Sequence, residues 1–139
     1  MAKSDKQAVR TIQVTSSLPA DRLAGICKEA AEQCTAWAAH GKAIVTLVEV
    51  TTGKLRFSVR NRHGKLEYLS FEVHIAEHDD RRVMVSRILR YKTTQRTWAY
   101  LIPFGPKTIM AFDCYEQFMR RTEELVRQAD PEARVVVAG

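Results

Sequence analysis

The most regular pattern in the chain runs from Asp113 to about Ala129, DCYEQFMRRTEELVRQA. Tyr115, Phe118, Met119, Thr122, Leu125, Val126 and Ala129 recur at spacings of three and four, which lays one apolar stripe along a helix. Arg120, Arg121, Glu123, Glu124 and Arg127 fill the other side. Asp113 and Glu116 stand at capping-box spacing, each side chain able to accept from a free amide of the first turn. Asp130-Pro131 then stops the helix, because proline disfavours helical geometry in the residue before it. A helix of this length is marginal alone in water, so the stripe requires a partner surface.

That surface is predicted in the middle of the chain. Arg10 to Ser16 alternates Ile12 and Val14 with polar neighbours, the pattern of a first strand. Leu18-Pro19-Ala20-Asp21 opens a helix whose apolar side, Leu23, Ile26, Cys27, Ala30, Cys34 and Trp37, runs as far as Ala39. The segment reads as one helix or, with a break near Gln33–Thr35, as two shorter ones, and His40-Gly41 closes it. From Lys42 the period falls from about 3.6 to 2. Strands follow over Ala43–Val50, Lys54–Arg60, Leu66–Glu77, Arg82–Lys92, with a bulge near Ser86, and Gln95–Ile102. Pro103 to Pro106 reads as a rigid turn and Thr108–Phe112 as a short last strand before the helix. Arg134–Ala138 reads either as an edge strand or as a tail. The expected fold class is α+β: a curved antiparallel sheet of six to seven strands wrapped around a long C-terminal helix, with one or two short helices after the first strand. A single domain spans 1–139, with 1–9 and 131–139 as tails.

Composition narrows the class. The 139 residues are nearly half apolar and about a quarter charged, ordinary for a soluble domain. No apolar run approaches the roughly twenty residues of a membrane span. The charged start MAKSDKQAVR lacks the apolar core of a secretory signal, and three cysteines cannot all pair, so a cytoplasmic location is expected. The net charge of +6 is uneven. Residues 54–96 hold eleven Lys/Arg against five Asp/Glu, while the flanking segments nearly balance. Such asymmetry belongs to basic binding faces and equally to solvated strand faces.

The order of elements, a strand, a helical segment, consecutive hairpin-linked strands and one long amphipathic helix, resembles the START-like or birch-pollen-allergen-like superfamily, also called helix-grip or SRPBCC. The resemblance covers Arg10 to about Ala129 and rests on element order. It implies a curved sheet wrapping the last helix, with a cavity between them that commonly holds lipids, sterols, polyketides or aromatic small molecules. Thr51-Thr52-Gly53 is shorter than the glycine-rich loop several members carry, so a fold and a cavity position carry over, and no catalytic residue.

On that resemblance Phe57, Phe71, Trp98, Tyr100, Tyr115, Phe118 and Met119 line the cavity, a tyrosine hydroxyl or two orienting an apolar or amphipathic ligand. The same side chains at the same spacing also make an ordinary filled core. A cyclase- or dehydratase-like enzyme of the superfamily is the alternative and needs an acid/base pair in the cavity, where little beyond tyrosines is expected. A second alternative is an interaction or nucleic-acid module using Lys54, Arg56, Arg60, Arg62, Arg82, Arg87, Arg90, Lys92 and Arg96. Interleaved acids and the lack of a module signature weigh against nucleic acid. His74 and His78 lie about 13 Å apart on a strand, too far to share a metal. No HExxH, paired CxxC, phosphate loop, GxSxG or GxGxxG occurs, so no catalytic residue, metal or cofactor is assigned. Cys114 sits in the first turn of the last helix, where the dipole favours a thiolate. The apolar RVVVA segment permits a homodimer without demanding one.

Overall fold

The structure, a computed structural model, describes residues 3–38, 41–98 and 102–139. The elements run α1 (Lys3–Ala8), β1 (Thr11–Ser16), α2 (Ala20–Glu32), β2 (Thr35–Ala38), β3 (Gly41–Thr51), β4 (Lys54–Asn61), β5 (Glu67–His78), β6 (Arg81–Tyr91), β7 (Thr93–Trp98), β8 (Ile102–Ile109), α3 (Phe112–Ala129) and β9 (Arg134–Ala138). Seven strands form one sheet in the order β2-β3-β4-β5-β6-β1-β9. Every pairing in it is antiparallel. The α+β class and the long helix after the strands are as expected.

Strand alternation decides which face is covered. On the central strand β5, Leu69, Phe71 and Val73 are buried on one side, and their partners Val59, Phe57 and Leu55 on β4 are buried with them. α2 and α3 lie side by side against this face. The stripe of α3 delivers Tyr115, Phe118, Met119, Thr122 and Val126 to it, all buried, with Leu125 half-buried. α2 contributes Leu23, Ile26, Cys27, Ala30 and Ala31. Beyond Ala129 the Asp130 carboxylate accepts from Ser16 Oγ at 2.7 Å and from the Glu132 amide at 3.2 Å. These bonds tie the end of the helix to β1 and to the turn that leads into β9.

Several local expectations are corrected. Thr35–Ala38 is a strand paired with the start of β3, not a second half of the early helix, which stops at Glu32. Pairing with β3 supplies backbone partners that the alanine-rich segment could otherwise have found only in a helix. Pro103–Pro106 is not the turn between strands but part of β8. The register jump between Thr94 and Arg96 leaves the extra residues of β8 bulged, and Gln95 Nε2 donates to Gly105 O at 2.6 Å. Among the described strands β8 pairs with β7 alone, so the missing proline amides are tolerated there. Phe112 opens α3 instead of ending a strand. The helix starts at Ala111 in left-handed geometry (φ 58°, ψ 25°), and no capping side-chain bond from Asp113 forms. The bulge expected near Ser86 lies at Leu89, where β5–β6 pairing shifts between Ser70 and Phe71; Met84, Ser86 and Ile88 all face the helices.

The lead expected to be a tail holds α1, which packs on β8, Gln7 Oε1 accepting from the Ile109 amide at 2.8 Å. Arg134–Ala138 takes the strand alternative, pairing with β1 at the edge of the sheet. Val136 and Val137 remain partly open to solvent.

Phe118 stands among the rings of Phe57 and Phe71 with no exposed surface. Phe118→Ala is therefore expected to lower the unfolding free energy by about 3–5 kcal/mol, read as a lower urea midpoint at unchanged slope.

Candidate functional site

The interior between sheet and α3 gathers five of the seven residues expected to line a ligand cavity. Phe57 and Phe71 stack at 5.1 Å between ring centres, and Phe118 meets Phe71 at 4.7 Å and Phe57 at 5.4 Å. Tyr115 meets Phe71 at 5.0 Å. These four rings have no exposed surface, and Met119 is 2% exposed. Tyr100 and the side chain of Trp98 lie outside the described residues.

The Tyr115 hydroxyl is already occupied. It donates to Arg10 O at 2.7 Å and lies 2.8 Å from Ser86 Oγ, which accepts the Ile12 amide at 3.0 Å. With the phenol hydrogen on Arg10, Ser86 is the donor to Tyr115. Burial pushes the Tyr115 pKa up to about 12, against the lowering effect of the Ser86 bond. Thr122 Oγ1, also buried, has no hydrogen-bond partner among the described residues. Among the described residues, no carboxylate or imidazole is buried on this face of the sheet.

The opposite face is different. Ser58 and Ser70 are directly opposed and buried, and around them arginines on β4 and β6 alternate with glutamates on β3 and β5. Arg56 pairs with Glu49 at 3.0 Å and Arg87 with Glu72 at 2.8 Å. Glu67 takes Arg90 at 3.3 Å and Arg60 at 3.4 Å, and accepts from Ser58 Oγ. Glu72 is only 5% exposed, covered by its neighbours' side chains instead of by the depth of the core. Burial alone would raise its pKa, but hydrogen bonds with His74 and Arg87 outweigh that and hold it below the usual carboxylate range.

Toward the Asn61–Leu66 turn this balance breaks. Arg60, Arg62, Lys65, Arg90 and Lys92 converge at one end of β4, β5 and β6, with Glu67 the carboxylate among them. A groove of about 410 Å³ opens there, lined by Lys65, Glu67, Tyr68, Arg90, Tyr91 and Lys92. Tyr91 is 39% exposed. Lys65 and Lys92 are exposed, and neither has an ion-pair partner among the described residues. The fully buried Tyr68 carries a hydroxyl without a hydrogen-bond partner among the described residues. Of the basic residues singled out from the sequence, Arg60, Arg62, Arg90 and Lys92 come together at this end, Arg56 and Arg87 lie mid-face, and Lys54 and Arg82 sit at the far end. The Arg96 side chain lies outside the described residues. Lys65 and Tyr91 were not singled out. A bulge on β5 at Tyr68 and another on β6 at Leu89 set the register at this end, Arg90 opposite Ser70 on the outer face and Tyr91 opposite Leu69 on the helix side, and a simple period of two does not reveal either bulge.

The cysteines are inert. Burial pushes the Cys27 thiol up to about 12 and the Cys34 thiol up to about 11. Cys114, placed by sequence where a helix dipole favours thiolate, is instead pushed up to about 12, chiefly by burial and further by Cys34 and Asp113. Desolvation outweighs the dipole. No group of three or more potential metal-ligating side chains occurs among the described residues, and none of their helices is long and apolar enough to cross a membrane. Comparison with protein-family models and with curated proteins finds no match for this chain.

These thiols set an alkaline limit. Below about pH 9 they are neutral in both folded and unfolded chains and give stability no pH slope. Above their ordinary value of 9.0 the unfolded chain releases protons that the folded chain holds until pH 11–12, so stability falls as pH rises through that window. Cys27→Ala is expected to remove up to about 1.4 kcal/mol per pH unit of that slope, measured from urea midpoints across the window.

Proposed function

We propose that the protein is a small binding module that takes a polyanionic partner on the basic end of its sheet. One observation carries this reading: Lys65 and Lys92 stand exposed and unpaired beside Arg60, Arg62 and Arg90, where the alternation of charge that neutralises the rest of the face has ended. Uncompensated cations at the rim of an open groove project their field into solvent over about a Debye length, which attracts and steers an anionic partner. Three buried thiols without a disulfide support a reducing compartment for this activity.

The expected outcome is retention on immobilised heparin, with elution at moderate salt. The triple variant Lys65→Ala, Arg90→Ala, Lys92→Ala is expected to elute at clearly lower salt than Arg22→Ala, Lys28→Ala, Arg120→Ala, which removes the same charge from the exposed helix faces. Equal elution of the two variants would sink the reading.

The element order also supports a second reading, a START-like relationship with an apolar small molecule taken up between sheet and α3. The specific observation in its favour is Thr122 Oγ1, a polar atom inside that interior with no partner among the described residues, and so suited to the polar end of an amphipathic ligand. Entry requires the Phe57–Phe71–Phe118 cluster to part. On this reading an environment-sensitive fatty-acid probe binds the native protein saturably and Thr122→Val weakens it. A linear, unsaturable signal removes it.

A further inference from the structure

We infer that β9 is a dimerisation edge, where the sheet of one molecule continues into that of a second copy by antiparallel pairing of β9 with itself about Val136. This is independent of the polyanion reading. β9 is the last strand of the seven-stranded sheet, paired with β1 on one side and with no strand on the other. An open strand is a template for another chain, and folded proteins blunt such edges with lysine, proline, a bulge or inward-pointing charge. RVVVA has none of these beyond Arg134 at its first position, and it pairs with β1 without a bulge. Val136 is 45% and Val137 36% exposed. The charge lattice that solvates the rest of the outer face also stops before this edge. Val136 lies opposite Gln13, Gln13 opposite Val85, and Thr15 opposite Val83, so the outward positions around Val136 are uncharged.

The hydrogen-bonding phase of β9 suits a second copy. The Ile12 amide turns to β6, donating to Ser86 Oγ at 3.0 Å, so by alternation the amides and carbonyls of Thr11, Gln13 and Thr15 turn to β9. Their partners Ala138, Val136 and Arg134 turn to β1 in return, and those of Val135 and Val137 point out of the open edge. With a two-fold axis at Val136, Val135 of one copy stands opposite Val137 of the other. Each of the two such pairs exchanges N–H and C=O bonds in both directions. Arg134 then faces Ala138, so no like charges meet. Charge complementarity selects this occupant over an unrelated strand. Beside Val137 the flank of α3 carries Glu116, Arg120 and Glu123, which line a groove of about 170 Å³, and Arg127 continues the series one turn on. Arg120 has no ion-pair partner among the described residues. α3 runs alongside β1, since Tyr115 reaches Arg10 O and Asp130 reaches Ser16 Oγ. The axis therefore sets the two α3 flanks antiparallel, with Arg120 at the height of Glu123 and Glu116 at that of Arg127. Opposite signs then face each other across the axis, which guides the approach of two copies.

The test is sedimentation equilibrium of the full chain from about 1 μM to about 1 mM, the range suited to a small interface. The mass is expected to rise to twice that of the monomer and stop there, because a two-fold contact closes on itself. Val136→Lys sets two lysines against each other across the axis and is expected to weaken the dimer at least about tenfold. Val137→Pro removes an amide that only the second copy uses and is expected to weaken it as much, with the monomer intact because proline is tolerated where an edge amide faces solvent. Val50→Lys adds the same charge at an exposed valine of β3 and is expected to dimerise like the parent. Circular dichroism melts establish that each variant is folded. A monomer at every concentration would leave the edge to a strand of another protein and overturn the inference. Growth past the dimer overturns it, and so does a dimer that Val136→Lys and Val137→Pro both leave unchanged.

Discussion

The contact on which the rest depends is the packing of Phe118 and Tyr115 of α3 onto Phe57 and Phe71 of the two strands β4 and β5. Four large rings placed 4.7–5.4 Å apart bury much apolar area in a small volume, and tilted or offset aromatic pairs add to what area alone supplies. The register of β4 against β5 is thereby fixed, because a slip of one residue would turn Phe57 or Phe71 to the opposite face. The orientation of α3 is fixed as well, because its stripe must present Tyr115 and Phe118 together. A second, polar tie reinforces it: the Tyr115 hydroxyl reaches across to Arg10 O and Ser86, joining α3 to β1 and β6.

The open face of the sheet is shaped by solubility and by electrostatics together. Glu49, Glu67 and Glu72 are each set against an arginine on a neighbouring strand, the cross-strand arrangement that stabilises a solvated face. Within that array positive charge is matched almost residue for residue.

Much of this was legible in the sequence. Clean alternation over Leu55, Phe57, Val59 and over Leu69, Phe71, Val73 gave β4 and β5 their covered face, and the stripe of α3 was read within one residue of its start. What failed was local pattern where distant pairing decides. Thr35-Ala36-Trp37-Ala38 continues the composition of a helix, yet pairs with β3. Pro103 and Pro106 look like a turn, yet sit in β8, which pairs with β7 alone among the described strands. As far as they are described, the residues expected to line a cavity share one interior, but spacing does not distinguish rings that line a space from rings that fill it. The basic end was half visible: the charge excess of residues 54–96 showed in a count, whereas the register that brings Arg60 and Arg90 to Glu67 depends on two bulges that no period announces.

Those bulges also explain why the basic groove lies at the strand ends and not at the centre of the face. In a regular antiparallel ladder each outward residue has a fixed neighbour across the strand, so an arginine placed opposite a glutamate stays neutralised within about 4 Å. Arg56 and Arg87 obey this rule. At Tyr68 and Leu89 one strand gains a residue on its partner, and pairing resumes in a shifted register in which Glu67 alone faces Arg60 and Arg90. Lys65 and Lys92 lie beyond these points, where no carboxylate is carried opposite them. Tyr68 shows the same break from the other side: displaced by the bulge, its hydroxyl is buried without a partner among the described residues, a cost of about 1–3 kcal/mol that a filled groove or an entering water could relieve. Irregularity in the ladder thus separates a face built to be solvated from an end with unspent charge.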